Sequence, residues 1–326
     1  MPAIRRILVA VKDPAARRQP AVQKAAQLAA GLGAQLELFH AICEPLFVDA
    51  ALMTGKPLKV VEDEWQERHL ERLERLAAKL RADGLKVTTA CEWDHPAFEA
   101  VVRRAQHARA DLIVAERHAK KHVAPWLLRF NDWELLRRSA VPVLLVKSGR
   151  PWSTPKVLAA IDPRHAFAKP ARLDGAILEA GAAVATALGG KLHAVHAFVP
   201  TMLDVRELDL DDPNLAAKIE SRAAAQARGA FERALEPYAL PKAQRHLVAR
   251  HPVDAIPATA RKLRAGIVVM GAVSRSGLKR LVVGDTAEQI LDALPHDVLV
   301  IKPASFESRV PGRSRGVQLI ASPDAF

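Results

Sequence analysis

The chain repeats itself, and that repeat leaves little freedom in how it can fold. "ILVAVKD" at 7–13 returns as "VLAAID" at 157–162, and "LGAQLELFHA" at 32–41 returns as "LGGKLHAVHA" at 188–197. "HPAFEAVVRRAQHARADLIVAE" at 95–116 comes back as "HPVDAIPATARKLRAGIVVMGA" at 251–272, and "PVLLVK" at 142–147 as "DVLVIK" at 297–302. The offset stays near about 155 residues, so both halves must be built on one plan. Within each half, Val/Ile/Leu runs alternate with amphipathic stretches. In the first, the runs 7–11, 35–41, 85–91, 111–115 and 142–146 suit strands buried on both faces. The stretches 19–31, 63–82, 96–108 and 132–139 suit helices. In the second, strands are expected at 156–161, 191–197, 245–250, 266–270 and 297–301, with a long helix over 213–236 that starts on Pro213. Such alternation implies an α/β fold: two tandem five-stranded parallel sheets, each with helices on both faces and right-handed crossovers.

The boundaries follow from composition. "SGRPWSTP" reads as a linker, placing a first domain at 1–148, the linker at 149–155 and a second domain at 156–304. The text from 305 to 326 has no clear period and reads as a loose tail. "PVLLVK" and "DVLVIK" end their halves as apolar edges, which predicts that the domains pack as an intramolecular pseudo-dimer. Trp126, Phe130, Trp133 and Trp152 crowd the region around the linker and are expected to join the halves.

Half the residues are apolar, enough for two cores. Two cysteines without a CxxC pair fit a reducing compartment. Lys12 breaks the only apolar run near the start, and no stretch approaches the ~20 apolar residues of a membrane span. A cytoplasmic protein without membrane insertion is the expectation. The net charge of +12 invites a nucleic-acid reading. Basic residues are interleaved with acids, however, as in "ERHLERLERLAAKLRADG", the pattern of a solvated helix face. With aromatics at 5% and none alternating with basic positions, a base-stacking surface is not supported.

One stretch looks like an anion cradle: "GAVSRSGLKRLVVGDTAEQ" at 271–289. It carries Gly271, Gly277 and Gly284, the basic Arg275, Lys279 and Arg280, and a helical pattern from Thr286. Free amides at a helix start favour an anion, and glycines let backbone approach it. The same text offers an internal occupant. Asp285 with Glu288 makes a D-x-x-E capping box, matched in the first copy by Asn131 and Glu134. The self-capped reading is preferred.

Other candidates are weaker. His118 and His122 stand four apart but "RHAKKH" brings no carboxylate or thiol, so a solvated basic loop is expected rather than a metal site. His40 and His196 share one repeat position at the end of the second strand, which points to hydrogen-bonded core histidines. His95-Pro96 and His251-Pro252 mark strand-to-helix turns. The segments 44–62 and 199–212 are long and partly apolar, and could roof an apolar cavity or cover sheet edges. No Ser–His–Asp signature, nucleophile elbow or carboxylate pair emerges, so the expectation is not an enzyme.

The tandem copies, "AGIVVMGAVSRSGLKRLVVGDTAEQIL", "DVLVIKP", "HPAFEAVV", "DLIV", "NDWELLRRSAVPVLLVK" and "RPW" carry a resemblance. Over about residues 4–304 the chain resembles a tandem universal stress protein, of the E-type known in enteric bacteria. That resemblance implies a Rossmann-like sheet related to the adenine nucleotide alpha hydrolases, and a role in survival under stress such as DNA-damaging agents. Nucleotide-binding members of the family share a loop G-x2-G-x9-G-[ST]. On this chain its positions fall on Gly271, Ser274, Gly284 and Asp285, so two of the four depart. The first-half counterpart, "AERHAKKHVAPWLLRFNDWE", has no glycine. The family position that touches adenine falls on Asp162, or on Asp13 in the first half. The resemblance therefore implies a nucleotide site of Asp162, Gly271, Ser274, Gly277, Gly284, Asp285 and Thr286, with ATP or AMP as a weak ligand of the second domain. A carrier of an apolar, lipid-like ligand is the other alternative.

Overall fold

The computed structural model of the chain describes residues 3–47, 55–117, 133–164, 173–199, 214–271 and 285–320. The apolar runs of the first copy are strands β1 (Arg6–Ala10), β2 (Gln35–Ile42), β4 (Val87–Trp93), β5 (Leu112–Glu116) and β6 (Val143–Val146). A two-residue strand β3 (Leu46–Phe47) follows β2. The five long strands are all parallel, in the order β4-β2-β1-β5-β6. At the centre Val9 stands between Leu38 and Val114, and all three are fully buried. Helices on both faces make this possible, because a parallel sheet has no wet side.

Helix α1 (Pro20–Leu32) starts on a proline and ends at Gly33, whose φ of 66° closes the last turn. Helix α2 (Leu58–Ala82) buries only Val61, Leu73 and Ala77. Its outer face carries pairs such as Lys59–Asp63 and Arg75–Glu71, so the interleaved charge run is a solvated helix face. Helix α3 (Ala97–His107) follows β4, and a further helical segment spans 133–138.

The second copy repeats the plan. Strands β7 (Lys156–Ile161), β8 (Lys191–Phe198), β9 (Arg245–Ala249), β10 (Ile267–Gly271) and β11 (Asp297–Ile301) are parallel in the order β9-β8-β7-β10-β11. Helices α4 (Leu173–Ala187), α5 (Leu215–Leu235), α6 (Pro252–Leu263) and α7 (Asp285–Ala293) connect them. The turn from α4 into β8 is tight. A Cβ on Gly190 would lie 2.0 Å from the Pro155 carbonyl oxygen, so only glycine fits.

The chain divides into two compact units, Trp152–Phe306 and Pro2–Pro151 with Glu307–Phe326. The first boundary falls inside the expected linker. Trp152 belongs to the second unit, where its Nε1 donates to the buried Asp297 Oδ2 at 2.9 Å. The second boundary corrects the reading of a loose tail over 305–326. Residues 307–320 return to the first domain, where strand β12 (Leu319–Ile320) pairs with β3 in parallel register. The long loop expected at 44–62 is likewise shorter, since β3 and the first turn of α2 lie within it. Among the described residues no helix is long and apolar enough to cross a membrane.

Candidate functional site

In a sheet with this strand order, the order of winding reverses between the first strand and the fourth, and such a switch point opens a crevice at their carboxyl ends. In the second domain that crevice lies past β7 and β10, at Asp162 and Gly271. Asp162 directly follows the last residue of β7, and its backbone N–H donates to Asp174 Oδ1 at 3.0 Å. Both of its own carboxylate oxygens are buried and, among the described residues, have no hydrogen-bond partner. A carboxylate in that state costs several kcal/mol of desolvation unless a donor reaches it, on the order of 1–3 kcal/mol even for a neutral group. The side chain as a whole is 16% exposed, although its two oxygens are buried.

His196 lies beneath. It is 1% exposed, and its Nδ1 sits 3.2 Å from the Ile161 carbonyl. A carbonyl only accepts, so Nδ1 carries the hydrogen and Nε2 is a bare acceptor. Burial pushes the pKa of this imidazole down, opposed by the Asp162 charge 4.0 Å from Nδ1. The neutral ring is thus locked by the backbone rather than aimed at a nucleophile. Its neighbours on the other side are Phe198 and Phe231, with ring centroids at 6.3 and 6.0 Å.

His40 does the same in the first domain, donating from Nδ1 to the Val11 carbonyl at 2.8 Å. Burial again lowers its pKa, and it stacks on His69 of α2 at 4.9 Å. Both histidines are core residues bonded to backbone, as their shared repeat position suggested. The two bonds also align the copies: Val11 matches Ile161, so Asp162 corresponds to Lys12 and not to Asp13. Asp13 is a turn residue, whose Oδ1 accepts from the Ala15 N–H at 2.8 Å. The buried acid seat therefore exists in the second domain and has no twin in the first.

Gly271 ends β10, and its lack of a side chain serves packing. A Cβ there would meet Leu173 Cδ2 at 2.7 Å and Ile177 Cδ1 at 3.3 Å, both on α4. Ser274, Gly277 and Gly284 lie outside the described residues, as do His118, His122, Trp126, Phe130 and Asn131. Helix α7 begins at Asp285, followed by Thr286, and the side chains of both also fall outside the description. Glu134, the expected capping partner of Asn131 in the first copy, pairs with Arg137 at 3.3 Å and with Arg138.

The two thiols are damped, whereas one lysine is shifted toward its neutral form. Burial pushes both thiols, Cys43 and Cys91, up to about 12. Lys302, at the end of β11, is drawn down to about 8 by burial and lies over the Phe306 ring at 4.6 Å. Among the described residues no group of three or more His, Cys, Asp or Glu could hold a metal ion. In the first domain a groove lined by Arg6, Gln35, Glu37 and Thr88 lies at the amino ends of β1 and β2.

A doubly wound sheet occurring twice, with a polar seat past the first strand of the second copy, defines a tandem Rossmann-like α/β fold. The family model of the universal stress protein family matches residues 3–147 and 155–302, and the chain belongs to that family. Universal stress protein E of Escherichia coli and that of Salmonella typhi are each 25% identical over 306 residues, covering 93% of this chain and 96% of theirs. Among solved structures, a functionally unknown protein from Pseudomonas aeruginosa PAO1 superposes with a TM-score of 0.71 at 27% identity, covering 93% of this chain and 94% of that one. A universal stress protein from Archaeoglobus fulgidus shares the fold at a TM-score of 0.62 and 20% identity, over 90% of this chain and 98% of that one.

Proposed function

We propose that the chain is a cytoplasmic stress-response protein that supports survival under stress, such as DNA-damaging agents, by binding a small molecule without turning it over. The observation that carries this reading is the buried, unpartnered carboxylate of Asp162. It suits a ligand that offers N–H or O–H donors, and the family role of the relatives supports a stress context. The locked histidines support binding over catalysis, because each imidazole is tied through Nδ1 to a backbone carbonyl rather than, among the described residues, to a hydroxyl or thiol.

An adenine nucleotide is the second reading, since the amine of the base is such a donor. The loop argues against tight ATP binding. Asp285 stands where a hydroxyl would meet phosphate, and a like-charge pair at ~5 Å costs about 3 kcal/mol at an effective dielectric near 20. Mass spectrometry of ligand retained by the purified protein, followed by calorimetry with ATP and AMP, tests both readings. A donor-bearing ligand that is lost in Asp162→Ala supports the proposal. Micromolar ATP binding would replace it with a nucleotide-driven module, an aliphatic ligand would replace it with a lipid carrier, and turnover of the retained compound would sink the non-catalytic reading.

A further inference from the structure

Residues 311–320 lie on the first domain as a peptide lies on a receptor. Leu46 N–H donates to the Gln318 carbonyl at 2.8 Å, and β12 continues the pairing with Leu46 opposite Leu319. Upstream, the Arg315 backbone N–H donates to Asp94 Oδ1 at 3.0 Å. Its guanidinium reaches both oxygens of Glu99, at 3.2 and 3.3 Å. His95 Nδ1 donates to the Gly316 carbonyl at 3.2 Å, and Arg103 donates to the Pro311 carbonyl at 2.9 Å. Gly316 has a φ of +71°, which turns the chain from the charge cluster into the strand.

The receptor side is built and charged. Asp94, Glu99 and Arg103 are all buried, and Arg103 bonds Asp94 at 3.0 Å and Glu99 at 3.4 Å. Two acids against one base leave one buried negative charge, and Arg315 balances it. This trio is not part of the repeated plan. At the matching places, aligned on the two His-Pro pairs, the second copy has Arg250, Ala255 and Thr259. The occupant, by contrast, is lightly held. The Arg315 side chain is 52% exposed, Leu319 is 47% exposed, and the ladder is two residues long. Polar anchors with little apolar burial give a segment that opens at low cost compared with the core.

We propose that this surface is a recognition groove for an extended segment with an arginine–glycine step followed by a short strand. Its own residues 311–320 fill it as a releasable strap, and the partner it fits in trans is the same segment of a second copy of this chain. Recognition combines strand addition at β3 with capture of a guanidinium by a buried carboxylate. The strap competes at the high effective concentration of a tethered ligand, so trans binding requires its release.

The test uses the full chain and a fluorescent peptide of residues 307–320, read by anisotropy. The full-length Arg315→Ala variant, whose strap has lost its anchor, should bind this peptide at least tenfold more tightly than the unmodified chain does. A peptide that itself carries Arg315→Ala should bind the variant at least tenfold more weakly than the native peptide. Leu319→Pro, which disrupts only the strand pairing and leaves the buried charges balanced, is the second host should Arg315→Ala misfold. Equal binding of the two peptides, or no uptake by either folded host, would overturn the proposal and leave the segment a fixed brace.

Discussion

Mild acid should weaken the second domain well before its carboxylates protonate, and His193 sets the amount. This residue lies on β8, buried, with its ring stacked on His246 of β9 at a centroid distance of 5.4 Å. The two rings share one hydrogen across an Nδ1···Nε2 contact of 3.1 Å, so both are held neutral. Burial, then His246, Lys156 and Lys191, push the His193 pKa down to about 4. Burial and Lys262 lower that of His246 as well. In the unfolded chain a histidine titrates near 6.5. Between these values the unfolded state holds a proton that the native state refuses. Stability therefore falls as pH drops through this window, is complete above about 6.5 and stops falling below about 4.

At about 1.4 kcal/mol per unit, the gap amounts to about 3 kcal/mol for His193 alone, with His246 acting in the same direction. The assay is urea unfolding at a series of pH values, with hydrogen exchange of the β8 amides to assign the change to this domain. His193→Leu removes the titrating group and should flatten the profile by about 2–3 kcal/mol across the window, whatever it does to stability at neutral pH. Parallel pH profiles for the two proteins would show that neutralising His193 costs nothing, and the argument from burial would fail.

Two further perturbations test the packing. Arg103→Met strands Asp94 and Glu99 as buried carboxylates and should cost about 3–5 kcal/mol in urea unfolding; a loss under about 1 kcal/mol would mean that the cluster is solvated. Gly190→Ala drives a methyl into the Pro155 carbonyl and should cost about 2–3 kcal/mol, whereas Gly189→Ala meets only its φ of +60° and about 1–2 kcal/mol; the reverse ranking by thermal melts would refute the steric account.

The fold was legible because burial on both faces forces apolar runs, and runs of that kind read directly as strands. In the second copy, 156–161 and 297–301 coincide with β7 and β11 to the residue. The strap was not legible by the same rule. Its strand has only Leu319 and Ile320, and most of its contacts go through backbone groups and one arginine. The signal that could have found it lay in the receptor. Asp94, Glu99 and Arg103 fall on a strand end and a helix where the other copy has Arg250, Ala255 and Thr259, and charges at core-facing positions demand partners. The acid seat was half legible: the family resemblance put it on Asp162, with Asp13 as a first-half counterpart, and only the hydrogen bonds of His40 and His196 fixed the register that separates them. Gly271 had been expected at a phosphate cradle, while its immediate use is to admit Leu173 and Ile177.

The two copies diverge in a patterned way. Most apolar sheet positions stay apolar in both copies, although the residue changes, as in Leu38 against Ala194 and Phe39 against Val195, because a polar group there would be buried on both faces. Polar positions at strand ends and helix starts carry no such constraint, and there the copies have become different molecules. Where the first domain has Glu37 paired with Arg104, the second has His193 stacked on His246. Where the first has Lys12, the second has the unpartnered Asp162. Where the first binds a strap through Asp94 and Glu99, the second has Arg250 and Ala255. The charges argue for two binding faces of different chemistry on one scaffold, an acidic small-molecule seat in the second domain and a strand-and-arginine groove in the first.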